Sequence, residues 1–326
     1  MRVLMRSTST LMFGLLLAGW GAGACAAYPE KPIRIVIPYP PGGMTDVLGR
    51  TIGIKLTEKF GQPVVLDNRG GAGGTIGTAV VAKSPADGYT LVLGTFGTHA
   101  VNYALVEKLA YHPIDDFAPV IPVAAVPNVL VVPTMSPFNR LSDIISLAKA
   151  RPGALSHAST GIGASPSLSL ALLKQVAGVD ILEVMYKGGA PALTAVISGE
   201  VTMAFDAVGT SIPQIKAGAI RPLATTSPHR LKALPDVPTI AESGYPGFDV
   251  VAWYGLWAPA GTPPDIVHKL NHEIDAILRM PDVNARFTGL GAEIMGGTVE
   301  EFAAFHRAEF QRWTAFIRST GMKIEF

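Results

Sequence analysis

A strand, a glycine-rich turn and a helix start recur along this chain, and that repetition constrains its fold more than any other feature. The first copy spans residues 33–50. Ile33, Arg34, Ile35, Val36 and Ile37 read as a short buried strand, and Pro38-Tyr39-Pro40-Pro41-Gly42-Gly43 turns the backbone sharply. Met44, Thr45 and Asp46 then open a helical pattern with Val47, Leu48, Ile52, Ile54 and Leu56 as its apolar residues. The first N–H groups of a helix lack partners and the macrodipole adds partial positive charge, so such a turn suits an anion. A plain βα connection is the competing reading, because glycine-rich βα turns are common.

The motif returns after Val64-Val65-Leu66, where Asp67-Asn68-Arg69-Gly70-Gly71-Ala72-Gly73-Gly74 leads into a helix over 75–82. A strand over 89–93 ends in Gly94-Thr95-Phe96-Gly97-Thr98, and a helix is expected over 99–105. Separate strands are expected over 116–123 and 129–132, with a domain crossing between Ile121 and Asn128. The second half repeats the theme. A strand over 155–158 ends in a loop from Ser159 through Thr160, Gly161 and Gly163 to Ser165, and Pro166 suits the first turn of the next helix. Strands over 181–185 and 201–205 end at Tyr186-Lys187-Gly188-Gly189 and at Asp206, and one more strand is expected over 223–226. Strands alternating with helices imply parallel sheets, whose ligands sit at the carboxyl ends of the strands. Trp253, Tyr254 and Trp257 read as core or inter-domain packing ahead of a ligand platform. Helices are expected over 264–278 and 300–317.

Residues 1–27 have the layout of a secretory signal peptide: Arg2 and Arg6, a short apolar stretch over 11–20, then small residues. Lipidation of Cys25 is the weaker alternative, because Ala22 stands where a lipobox usually has leucine. Cys25 is the only cysteine, so the mature fold needs no disulfide. Formal net charge is +1 with no long basic run, which gives nucleic-acid binding no support.

Several catalytic patterns fail. No dinucleotide or P-loop glycine spacing occurs. The run Gly163-Ala164-Ser165-Pro166-Ser167 ends in serine where a nucleophile elbow needs glycine. His268, His272 and Glu273 do not complete a zinc-protease motif, since position 276 is Ala276. No metal and no cofactor are expected.

Tyr28-Pro29-Glu30-Lys31-Pro32-Ile33-Arg34-Ile35-Val36 followed by Pro40-Pro41-Gly42-Gly43-Met44-Thr45-Asp46 resembles the Bug family of extracytoplasmic solute receptors, the binding proteins of tripartite tricarboxylate transporters. The likeness continues in register through Asn68-Arg69-Gly70-Gly71-Ala72-Gly73-Gly74, Pro85-Ala86-Asp87-Gly88-Tyr89, Tyr186-Lys187-Gly188-Gly189, Leu234-Pro235-Asp236-Val237-Pro238-Thr239 and Trp253-Tyr254-Gly255-Leu256-Trp257. It covers essentially the whole chain after the signal segment. The resemblance implies a periplasmic-binding-protein type II fold. Two α/β domains with parallel-dominated sheets are joined by two crossovers and close on a ligand. The expected division is 28–125 with 231–326 as one domain and 126–230 as the other. The implied ligand is a small carboxylate: a dicarboxylate, a tricarboxylate, an acidic amino acid or an aromatic acid. Further expectations are a periplasmic location, a monomer, no turnover, and the membrane components of a tripartite transporter, or a sensor, as partners. A secreted enzyme on the same scaffold is the alternative.

Carried over residue by residue, the resemblance points to Tyr39, Gly42, Gly43, Thr45 and Asp46 in the first loop. It adds Thr95, Phe96, Gly97 and Thr98 in a second loop, and Thr160, Gly161, Ser165 and Ser167 in a third. Tyr186 and Asp206 would face the cleft from the second domain. Two positions depart from the family pattern: Ser167, where histidine is frequent, and Phe96, where polar residues are. Both changes would favour a less charged or partly aromatic ligand, or reflect drift. Asp46 beside an anion reads either as an acceptor for a bridging water or as a helix cap. Asp206 reads either as a turn residue or as an acceptor for a ligand ammonium, hydroxyl or ring N–H. Arg50, one turn into the first helix, is expected to point away from its start.

Overall fold

One long strand joins everything else. The computed structural model describes residues 28–161, 163–186 and 188–323. The expected signal segment with Cys25 lies outside the described residues, as does Lys187. The chain opens with β1 (Ile33–Ile37), α1 (Met44–Phe60), β2 (Val64–Asn68), α2 (Thr75–Ala82), β3 (Thr90–Thr95) and the short α3 (Asn102–Leu105). Then comes β4 (Phe117–Pro133), 17 residues long. Beyond it lie α4 (Leu141–Ala150), β5 (Ser156–Ser159), α5 (Ser165–Ala177), β6 (Leu182–Met185), α6 (Gly189–Ile197), β7 (Met203–Ala207), α7 (Val208–Lys216) and β8 (Ile220–Thr225). The chain closes with β9 (Val251–Pro259), α8 (Pro264–Leu278), α9 (Pro281–Gly289), β10 (Glu293–Ile294) and α10 (Val299–Thr320).

The strand order is β2-β1-β3-β9-β4-β7-β5-β6, with β8 and β10 also pairing β4. The two strands expected over 116–123 and 129–132 are one strand. Its early part pairs antiparallel with β9 as far as Pro127↔Val251, and its late part pairs with β7 from Asn128↔Ala207. Prolines survive here because Pro119 and Pro122 sit at register shifts, where the ladder is already interrupted. The chain returns beside this point: Thr226 N–H donates to Asn128 O at 2.9 Å, and Val250 N–H to Thr226 O at 3.1 Å. Two lobes therefore meet where β4 changes partners. Parallel pairing holds for the outer strands, β1 with β2 and β3, and β5 with β6 and β7. The strands at the junction pair antiparallel.

Apolar burial fixes each lobe. In the first, Ile33, Ile35, Ile37, Leu48, Ile52 and Leu56 are fully buried with Leu270 and Ile274 of α8. Each such side chain contributes about 1.5–3 kcal/mol of transfer free energy. In the second, Val129, Val131 and Val196 pack with Leu231, Leu234 and Val237 of the returning segment. The sequence pattern did not foresee α7, α9 or β10. Pro213 lies inside α7, and Val208-Gly209-Thr210-Ser211 at its start shows little apolar periodicity. The helix expected over 99–105 begins instead as a wide π turn, Gly97–Val101.

Candidate functional site

The register places the loops. In the second lobe Asp206 pairs with Val129, one residue past the partner switch, so β7 ends at the junction. β5 and β6 run parallel to β7 and end at the same edge. In the first lobe Thr95 pairs with Tyr254, three residues into β9 from the junction, and β1 runs parallel to β3. The carboxyl ends of both lobes' parallel strands thus face a common cleft, and the helices that follow, α1, α5, α6 and α7, start there.

The first loop is tightly ordered. Gly43 caps α1 with extended backbone, φ −80°, and Gly42 adopts φ +90°, a conformation open to glycine. A β-carbon on either would meet no atom within 4 Å, so the space above this turn is open. Asp46, 3% exposed, is held from three sides. Its Oδ2 accepts from Gly42 N–H at 3.0 Å and from Arg50 Nε at 2.8 Å, and its Oδ1 from Asn68 Nδ2 at 3.0 Å. These bonds, Arg50's first, hold its carboxyl down at about 2 against the opposing effect of burial. Asp46 therefore organises the loop rather than facing an anion. Arg50 reaches back toward the helix start, contrary to expectation, because helical Cα–Cβ bonds tilt toward the N-terminus. The first helical bond runs from Val47 N–H to Gly43 O, and among the described residues the N–H groups of Met44, Thr45 and Asp46 have no acceptor.

Tyr39 spans the first and second loops. Its hydroxyl bonds Thr95 Oγ1 at 3.0 Å, and burial pushes its pKa up. Gly74 makes room for it: a β-carbon there would lie 2.8 Å from Thr98 Cγ2 and 3.1 Å from Tyr39 Oη. Thr98 Oγ1 accepts from Thr95 N–H at 2.9 Å. Gly97 lies beside Tyr39, partly exposed. Thr45 is buried in the first turn of α1. Phe96 does not join them. Its ring is 3% exposed and packs edge-on against Trp253 and Trp313, with centroids 6.2 and 5.0 Å away. Trp257 is likewise core, stacked on His99 at 3.7 Å.

The second lobe is less complete. Thr160, Gly161 and Ser165 line its edge, partly exposed, and Ser165 Oγ lies 3.5 Å from Asn128 Oδ1. Ser167 is fully buried in the first turn of α5, and its hydroxyl finds no partner among the described residues. Asn128 Nδ2, Ser159 Oγ and His157 Nδ1 are also buried without partners among the described residues. Tyr186 turns its hydroxyl to Glu200 Oε1 at 2.8 Å, which directs its polar end to that carboxylate. Asp206 accepts at Oδ2 from Thr210 Oγ1 and Ser211 Oγ, both at 2.6 Å, and burial pushes its carboxyl up. Among the described residues no three His, Cys, Asp or Glu side chains approach closely enough to hold a metal.

Sequence reasoning missed the part that Asn68 plays. Asn68 ends β2, beside Ile37, and donates to both Tyr39 O and Asp46. Its place opening a glycine-rich turn was the available signal.

Known proteins share this architecture. A family model described as "Tripartite tricarboxylate transporter family receptor" matches residues 48–322. Protein BugT of Bordetella pertussis is 37% identical, covering 96% of this chain and 98% of its own. Among solved structures, R. palustris Rpa4515 with adipate is 40% identical with a TM-score of 0.80, over 91% of this chain and 99% of that one. MatC from Rhodopseudomonas palustris with bound malate is 35% identical with a TM-score of 0.76, over 89% and 100%. "Structure of periplasmic binding protein BugD" describes a further neighbour, at 34% identity and TM-score 0.76.

Proposed function

The chain belongs to the tripartite tricarboxylate transporter receptor family, and from that premise we propose that it is a periplasmic receptor that captures a small carboxylate in the cleft between its lobes. The fold is that of the periplasmic binding proteins it superposes on. One observation carries the reading: the first turn of α1 offers unpartnered backbone N–H groups beneath open space, on a loop already fixed by Asp46. Anion-directed hydrogen bonds are about twice as strong as neutral ones, so backbone donors and hydroxyls suffice without a free cation. The relatives bound to adipate and malate support a carboxylate as the ligand class.

In this reading Met44, Thr45 and Asp46 supply backbone donors, with Gly42 and Gly43 keeping the approach open. Tyr39, Thr95, Gly97 and Thr98 shape the adjoining wall. Thr160, Gly161, Ser165 and Ser167 approach from the second lobe with Asp206. The lobes divide as 28–125 with 231–326, and 126–230, the segment 231–240 packing on the second. The receptor works as a monomer in the periplasm, exported by residues 1–27, and passes its ligand to a membrane transporter without turnover. Native mass spectrometry of unheated protein, followed by calorimetric titration with mono-, di- and tricarboxylates, tests this. A stoichiometric small acid and saturable heat are expected. Absence of carboxylate binding, or conversion of the bound acid, would overturn it.

A further inference from the structure

Among the described residues, Asp206 at the second lobe's edge of the cleft has side-chain donors on one oxygen only. It ends β7, 7% exposed, one residue past the junction. Oδ2 takes both short hydroxyl bonds, from the first turn of α7. Among the described residues no side chain donates a hydrogen bond to Oδ1 and none forms an ion pair with this carboxylate, the further donor to it being the backbone N–H of Ala207. Oδ1 looks toward the start of α6: a β-carbon on Gly189 would lie 3.8 Å from it. Gly188, at φ +110°, leaves open space alongside.

A second buried acceptor is out of place in a cleft that collects anions. A ligand made only of carboxylates and methylenes would bring like charge toward Oδ1 and leave it unpaired, at a desolvation penalty. A ligand hydroxyl or ammonium would give Oδ1 a charge-assisted bond. Sites built to bond a donor reject analogues that lack it strongly, because the acceptor is then stranded. We propose that Asp206 selects carboxylates that also carry a hydrogen-bond donor, a hydroxyl or an ammonium group, reading that donor through Oδ1. The inference rests on the carboxylate-receptor reading and narrows its ligand class.

Thr210 and Ser211 predict what an amide would do. In Asp206→Asn they would keep the amide oxygen in the Oδ2 position and turn the NH2 toward the ligand, replacing the acceptor with a donor. The test is calorimetric titration of the full chain with matched acids: succinate, malate and aspartate, then adipate and 2-aminoadipate. The wild-type protein should bind a donor-bearing acid at least about tenfold more tightly than its plain partner, equivalent to about 1.4 kcal/mol. Malate and aspartate separate hydroxyl from ammonium recognition. Asp206→Asn, with its fold checked by thermal melting, should lose or reverse the preference. Equal wild-type affinity within each matched set would overturn the inference and leave the carboxylate reading standing, whether or not the variant folds. Failure of every acid to bind would bring down both.

Discussion

Asp46 and Asp206 occupy comparable places, one at each lobe's face of the cleft beside the start of a helix, and their surroundings differ. Asp46 has three donors on its two oxygens, and its carboxyl is held at about 2. Asp206 has both hydroxyl donors on one oxygen, and burial pushes its carboxyl up. The hydroxyls of Tyr39, Thr95 and Thr98 in the first lobe are paired, with His99 Nε2 beside them left over, and among the described residues Asn128, His157, Ser159 and Ser167 of the second lobe each leave a buried polar atom unpartnered. A saturated acid is scaffold: it fixes a loop so that backbone donors stay aimed. An acid with an open oxygen can still distinguish ligands.

The largest expected effect is shared by the lobes and so sets the baseline. Burial depresses His306 of the first lobe to about 4 and His157 of the second to about 3, from 6.5. Between those values the unfolded chain binds more protons than the folded one. Their contribution is complete above pH 6.5 and is lost as pH falls toward 4 and then 3, on the order of 3 kcal/mol for His306 alone. Urea melts from pH 7 to pH 4 should show falling stability. A flat profile would contradict the neutral, buried state of both rings.

The two aspartates should then part company. Asp46→Asn should destabilise the protein by on the order of 2 kcal/mol at neutral pH, the loss corresponding to its lowered pKa. In the wild type that share is present above pH 3.8 and disappears as pH falls toward 2. Asp206→Asn retains an oxygen for Thr210 and Ser211, and should cost under about 1 kcal/mol. Equal losses in denaturant melts would dissolve the distinction. Smaller still is the contrast between hydroxyls. Thr95→Val removes a partner of Tyr39 and should cost about 1 kcal/mol, while Ser167→Ala deletes an unpartnered group and should change stability by no more than about 0.5 kcal/mol. A larger cost for Ser167→Ala would mean that its hydroxyl is satisfied in solution.

The repeated strand–turn–helix pattern made the alternating architecture and the cleft-edge loops legible, because hydrophobic runs and glycine turns are local signals. Side-chain direction was not local. Phe96 was expected in the cleft together with its loop, but Trp253 and Trp313, distant in sequence, draw its ring inward. Tyr186 is claimed by Glu200. Asn68 escaped notice because its role depends on β2 lying beside β1. The 17-residue β4 was split in two because its prolines read as interruptions, where the bulged register absorbs them.

Calorimetric titration of Gly43→Val beside Arg50→Gln, with a carboxylate that the wild type binds, tests the central claim most directly. Position 43 has φ −80° and open space around it, so valine should fold there and obstruct only the ligand. Arg50 is occupied by Asp46. Backbone capture predicts that Gly43→Val abolishes binding with its melting temperature nearly unchanged, while Arg50→Gln stays within about tenfold, under about 1.4 kcal/mol. Loss of binding in Arg50→Gln with binding retained in Gly43→Val would place the carboxylate on a cationic side chain and contradict the account.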